Sequence, residues 1–270
     1  MKLVIEPGLG ATHYWRDLWR YRELMAFLAW RDVAVRYKQT AIGVAWALIR
    51  PALTLVVFVA FRRMMGVEQS AVPDVILVLA AVLPWQFFST ALSETSASLI
   101  GNTSLISKVY FPRLIIPVAS VATSFVDFFI TLVMLAVLMA WYGVAPALPL
   151  LALPLFILLT ALLSLGLGLL LGALTVTYRD FRYVVPFLVQ LGLFVSPVAF
   201  STSQVPEGWR AVYGLNPLVG IIEGFRWSIL GGRTPLDPAW LATSAAITAG
   251  CLVLGVWYFR RVERRFADVI

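Results

Sequence analysis

Apolar residues in this chain fall in long continuous blocks, without the alternation or one-sided striping of a water-soluble fold. Six blocks run from about Ala41 to Phe61, Val75 to Leu92, Ile115 to Trp141, Ala152 to Thr177, Val184 to Phe200 and Ala239 to Phe259. Crossing ~30 Å of hydrocarbon at ~1.5 Å per helical residue takes about 20 residues, which is the scale of these blocks. A spanning barrel would show segments of ~10 residues alternating apolar and polar, whereas these are apolar on every face. The pattern predicts an all-α integral membrane protein, a single domain over residues 1–270 with six transmembrane helices.

The polar connections carry their own patterns. Over residues 14 to 38, Trp15, Leu18, Trp19, Leu24, Phe27, Leu28 and Val35 interleave with Arg16, Arg20, Arg22, Arg31, Asp32 and Arg36. That mixture predicts an amphipathic helix lying at the membrane interface. Between the second and third blocks, Gly101 to Arg113 is partly apolar and ends in a proline, Pro112, which restricts Phe111 to extended backbone. Such a segment suits docking to a soluble partner, or resting on the bilayer as an ordinary connection. A second, short connection, Tyr178 to Tyr183, places charge beside aromatic edges, the residues that anchor helices at a membrane interface. From Ser201 to Pro238, glycines and prolines punctuate a segment whose Leu218–Leu230 stretch is apolar but too short to cross. A re-entrant helix is expected there, with a surface-lying helix as the alternative.

Charge sets the orientation. Of 21 basic residues, fifteen fall before the first block, in the 93–114 and 178–183 connections and in the tail; five, including Arg62 and Arg63, fall on the other side. Because Lys and Arg are retained in the cytoplasm, both termini are expected there, with residues 1–40 lacking the apolar core of a cleavable signal peptide. The net charge of +7 is thereby accounted for by topology and anionic lipid, so no nucleic-acid partner is expected.

Catalytic chemistry is sparse. His13 and Cys251 are the only histidine and cysteine, which excludes disulfides and His/Cys metal clusters within one chain. No Gly-x-x-x-x-Gly-Lys-Ser/Thr phosphate loop occurs, so nucleotide hydrolysis by that route is absent. Asp127 is the one carboxylate well inside a block, with Glu94 near the end of another. Ionisable groups at such depth are costly, and Asp127 is expected to hold a helix contact through Ser124 or Thr131 on the same helix face, with a substrate or ion site as the alternative.

Trp30-Arg31-Asp32, Tyr37-Lys38-Gln39-Thr40, Gly43, Trp46 and Pro51 resemble the permease subunits of ABC-2 type polysaccharide exporters, the O-antigen and teichoic acid group. The likeness continues through Asn102–Arg113, Tyr178-Arg179-Asp180 with Pro186, and Asn216-Pro217. It implies a homodimeric channel in the bacterial inner membrane with two copies of a separate ATPase subunit, which would hold ATP and Mg while this chain binds no cofactor. Lys108, Tyr110, Phe111, Arg113, Tyr178, Arg179 and Asp180 would then contact the ATPase. Arg62-Arg63 departs from the family pattern, and the pair would meet substrate phosphates or cap the outer interface.

The substrate implied is a lipid-linked polysaccharide of O-antigen type, passed along aromatic rings whose stacking is weak per contact and tolerant of sequence. Tyr37, Trp46, Phe58 and Phe88 are the ring candidates. An ABC-2 permease for a small amphiphile shares this topology, and an intramembrane enzyme of glycan assembly is the alternative from another class.

Overall fold

The computed structural model describes residues 11–38, 45–64, 72–198, 200–263 and 266, with side chains from residue 14 onward. Lys2, Gln39, Thr40, Gly43, Arg264, Arg265, the start of the first apolar block and the His13 side chain lie outside the described residues. Among the described residues the chain is helical, without β-strands.

The expected interface segment is two helices, α1 (Ala11–Arg20) and α2 (Arg22–Lys38). Leu28 is buried, while Trp15, Trp19, Phe27 and Trp30 are exposed. One face therefore packs on the bundle and the other carries bulky aromatics, as a helix lying at headgroup level requires.

Among the described residues, five helical segments are long and apolar enough to cross a membrane: α3 (Ala45–Met64), α4 (Asp74–Gly101), α6 (Ile115–Trp141), a 3-10 turn continuing into α7 (Leu148–Thr177 together) and α11 (Pro238–Val262). α4 is the central element and the most enclosed, with 72% of its most apolar 18-residue window buried. It packs against α3, α6, α7, the shorter α8 (Phe181–Val195) and α10 (Pro217–Ile229). The fifth expected span, Val184–Phe200, is realised as α8, whose 15 residues reach only ~22 Å at ~1.5 Å per residue. Ser196-Pro197 ends it.

The second span also differs from expectation. Polar residues from Ser93 onward suggest a helix ending near Leu92, yet α4 continues to Gly101. The hydroxyls do not compete with the helix: Ser96 donates to the Ser93 carbonyl at 2.9 Å and Ser98 to the Thr95 carbonyl at 2.7 Å. Their polarity is satisfied within the turn, so the helix absorbs them. The short α5 (Thr103–Lys108) follows.

Beyond α9 (Glu207–Tyr213), the apolar stretch at 218–230 forms α10, capped by Asn216, whose side chain accepts from the Leu218 N–H at 3.0 Å, and opened by Pro217. Gly231 and Gly232, with φ of 65° and 79°, end it in the left-handed region that side chains avoid. Nearly all of α10 is buried in the protein, against α4, α7 and α11.

Close helix approach rests on small residues. A Cβ added at Gly166 would sit 2.6 Å from the Leu252 nitrogen, and one at Gly255 would collide with the Gly166 backbone. This lets α7 and α11 pack backbone to backbone, the way helices associate where lipid competes equally for apolar side chains. Two apolar clusters result. The larger one runs through α4, α6, α7 and α10; the smaller gathers Leu28, Leu99, Ile106, Phe111, Ile115, Val176, Phe259 and Phe266 at the end that carries α1, α2 and the end of α11.

Candidate functional site: a polar cavity beneath the interface helix

A cavity of about 350 Å³ opens between α2, α3, α4 and α6. Its wall combines Tyr37, Trp46, Phe87 and Phe128 with Arg36, Arg50, Gln86, Thr90, Glu94 and Asp127. An apolar wall with a few convergent polar groups is the usual composition of a binding cleft.

Arg36 organises its floor. From α2 it donates to the Asp127 Oδ2 on α6 at 2.5 Å and to the Glu94 Oε1 on α4. Tyr37 donates to the other Asp127 oxygen, and Ser124 to the Glu94 Oε2 at 3.1 Å. Burial alone would lower the Arg36 pKa, but Glu94 and then Asp127 outweigh it and leave it raised. Burial, reinforced by the hydrogen bond to Asp127, also raises the Tyr37 hydroxyl, which stays protonated as a donor. The interface helix is thus bolted to two apolar helices by charge-assisted bonds in a partly dry setting.

Asp127 does hold a helix contact, but with other partners than expected. Thr131 donates to the Asp127 backbone carbonyl at 3.0 Å and Ser124 turns to Glu94, while the Asp127 carboxylate reaches α2. A hydroxyl on the same helix cannot neutralise a carboxylate; Arg36 can. On the opposite wall, Arg50 is exposed to the cavity and forms no ion pair among the described residues.

Of the expected ring residues, the fold brings Tyr37 and Trp46 together at this cavity, with Trp46 half exposed. It does not bring the other two. Phe88 is buried against Trp85, ring centroids 5.8 Å apart, and Phe58 leans on the main core. Both are held by packing within this chain. The expectation for Arg62 also changes: it is 5% exposed and paired with Asp74 at 3.2 Å, tying the end of α3 to the start of α4, while Arg63 is exposed. A guanidinium so enclosed is committed to its carboxylate and does not meet a substrate phosphate in this conformation.

The two connecting segments expected to face an ATPase converge. Ile100 and Thr103 on one side, with Thr175, Val176, Arg179, Asp180, Arg182 and Tyr183 on the other, line a second cleft of about 360 Å³. Arg179 and Asp180 line it and are exposed, as are Lys108, Tyr110 and Tyr178 on the same two segments. Phe111 is a correction: only 5% exposed, it anchors the segment in the smaller core, because its apolar ring gains more there than in water. Arg113 is half-buried and turned toward the end of α11.

Sequence reasoning missed Arg36, Glu94, Arg50 and Gln86 as a group, and a second buried pair as well. Glu223 and Arg226, 5% and 2% exposed, bond at 3.1 Å within α10, and Arg226 also donates to the carbonyls of Val198 and Phe200. Their i,i+3 spacing inside an apolar stretch was the available signal. Among the described residues no group of His, Cys, Asp and Glu could hold a metal.

Comparison with known proteins follows the same lines. The chain is 28% identical over 258 residues to the O-antigen export system permease protein RfbA of Myxococcus xanthus, covering 94% of this chain and 98% of that one. It is 25% identical over 252 residues to a Klebsiella pneumoniae protein of the same name, covering 92% and 95%. Similarity to the polysialic acid transport protein KpsM of Escherichia coli is 24% over 242 residues, covering 86% and 91%. The ABC-2 type transporter family profile matches residues 23–230, a stretch that includes all but the first residue of α2, the cavity-lining residues, both connecting segments and α10, and the chain is a member of that family.

Proposed function

We propose that this chain is the membrane-spanning permease subunit of an ATP-driven exporter of lipid-linked polysaccharide. Two copies would form the channel, with two copies of a separate ATPase subunit docked on the face that carries Lys108, Tyr110, Tyr178, Arg179 and Asp180. The chain would sit in the bacterial inner membrane with both termini cytoplasmic, as the excess of basic residues on that side favours. The observation that carries this reading is similarity over most of the chain to proteins named for O-antigen export and polysialic acid transport.

The chemistry is consistent with it. A chain without a phosphate loop needs the energy of nucleotide hydrolysis from elsewhere, so ATP and Mg belong to the partner. Trp46 and Tyr37 line the cavity, and rings hold sugars by contacts weak enough to release. Arg50, on the candidate span α3 and without an ion pair among the described residues, is the kind of residue kept for a pathway and not for packing.

The test is the ATPase rate of the chain reconstituted with its nucleotide-hydrolysing partner, with and without purified lipid-linked glycan. Stimulation by glycan, reduced by Trp46→Ala, is the expected result. Indifference to glycan with stimulation by small amphiphiles would replace the reading with a small-molecule permease. No complex with any ATPase would return it to an intramembrane enzyme.

A further inference from the structure

The segment from Asn102 to Arg113 is gripped at both ends by parts of the chain remote in sequence. At its start, Arg31 of α2 donates to the Asn102 Oδ1 at 2.8 Å. At its end, Arg113 donates to the backbone carbonyl of Glu263, 150 positions away, and its guanidinium lies 5.9 Å from the centroid of the Phe266 ring. Phe266 is fully buried and packs edge-on against Phe259, centroids 5.4 Å apart.

The same tail residue reaches the other terminus. The Glu263 carboxylate accepts from the Tyr14 hydroxyl at 2.9 Å, and Arg260 stands 3.7 Å over the Tyr14 ring. Burial, and after it the charge of Glu263, pushes the Tyr14 hydroxyl well above its ordinary pKa, so it remains a donor. Phe111, Ile106 and Leu114 share the apolar cluster with Phe259 and Phe266. One block of structure therefore contains α1, the tail of α11 and the whole 102–113 segment, and α11 packs along α7, which ends at the second exposed segment.

We infer that Arg113 is a positioning residue that clasps the 102–113 segment to the end of α11 through Glu263 and Phe266, so that force applied at Tyr110 moves the tail and α1 as one piece. This rests on the exporter reading above. It separates two roles that one segment would otherwise blur. Tyr110, 68% exposed, is free to touch a partner; Arg113, with its guanidinium occupied by groups of its own chain, transmits the movement.

The test compares Arg113→Gln, Phe266→Leu and Tyr14→Phe with Tyr110→Ala, in the full chain reconstituted with the ATPase subunit. Phe266→Leu keeps apolar bulk and removes only the ring face, and Tyr14→Phe removes one hydroxyl, so each can fold where Arg113→Gln does not. Two quantities are read: affinity for the ATPase subunit, and the ratio of glycan-stimulated to basal hydrolysis. Tyr110→Ala should weaken affinity about tenfold, the loss of one interface aromatic.

Phe266→Leu and Arg113→Gln should leave affinity within about twofold and cut the stimulation ratio about fivefold, the worth of one cation–π or hydrogen-bond contact. Arg113→Gln combined with Phe266→Leu should cut it no further than the worse single change, since the Arg113–Phe266 contact that the second change removes is already lost with the first. Three outcomes would overturn the clasp: affinity lost in Arg113→Gln as in Tyr110→Ala, wild-type stimulation in Phe266→Leu, or multiplying effects in the double variant. A wild-type chain that binds the ATPase but ignores glycan would sink the exporter reading instead.

Discussion

Replacing Arg36 with methionine removes the cation that ties α2 to Glu94 on α4 and Asp127 on α6, and the size of the effect follows from burial. The Arg36 side chain is 30% exposed, Glu94 28% and Asp127 29%. At an effective dielectric of ~20, unit charges about 4 Å apart attract by ~4 kcal/mol, most of which desolvation and side-chain ordering offset. Breaking a fully buried pair costs ~3–5 kcal/mol and an exposed one ~0–1. Two pairs of intermediate exposure sharing one guanidinium should together cost about 3 kcal/mol, roughly a 150-fold shift toward the undocked helix.

Hydrogen exchange of the backbone amides in Arg22–Lys38 reads that shift directly, because their protection reports the free energy of local opening. Arg36→Met should speed their exchange by about two orders of magnitude, while amides at the centre of α7 keep their protection. Tyr37→Phe, which loses one hydrogen bond, should cost about 1 kcal/mol, or roughly fivefold. Adding Glu94→Gln and Asp127→Asn to Arg36→Met should recover much of the loss, since the penalty comes from two carboxylates left without a cation. Unchanged α2 protection in Arg36→Met, or no recovery in the triple variant, would refute the reasoning.

Three further outcomes are expected. Gly255→Ala drives a methyl into the Gly166 backbone, whereas Gly250→Ala meets nothing within 4 Å; the first should lower stability by ~1–3 kcal/mol and the second should not, read by thermal unfolding in detergent. Arg226→Met strands a buried Glu223 and frees two carbonyls, a loss of ~3–5 kcal/mol that Glu223→Gln should partly repair, measured the same way. Phe111→Ala should destabilise by ~3–5 kcal/mol as a core truncation, while Tyr110→Ala should leave unfolding unchanged and affect only work done with a partner.

Much of this protein could be read from the order of its residues. The third block, Ile115–Trp141, coincides with α6 end for end, and the fourth ends with α7 at Thr177. A run of apolar side chains about 20 residues long has few alternatives in a bilayer, because backbone polar groups there must be satisfied within the helix. Asn216-Pro217 and Asp237-Pro238 likewise mark helix starts locally, each through its own side chain accepting an N–H two residues on. Tyr37 and Trp46, both candidates by residue type, line one cavity.

What tertiary structure decided were the partnerships of charges and the direction of rings. Arg36 meets Glu94 and Asp127 across 58 and 91 positions, and Arg113 meets Glu263 across 150. Nothing in the local pattern distinguishes these arginines from Arg16 or Arg20, because an ion pair or a hydrogen bond to a carbonyl forms wherever packing brings the partners together away from water. Phe111 and Tyr110, adjacent and both aromatic, point to opposite environments for the same reason. Periodicity fixes which residues are helical; only the packed bundle determines which side of a connection becomes its anchor and which its open face.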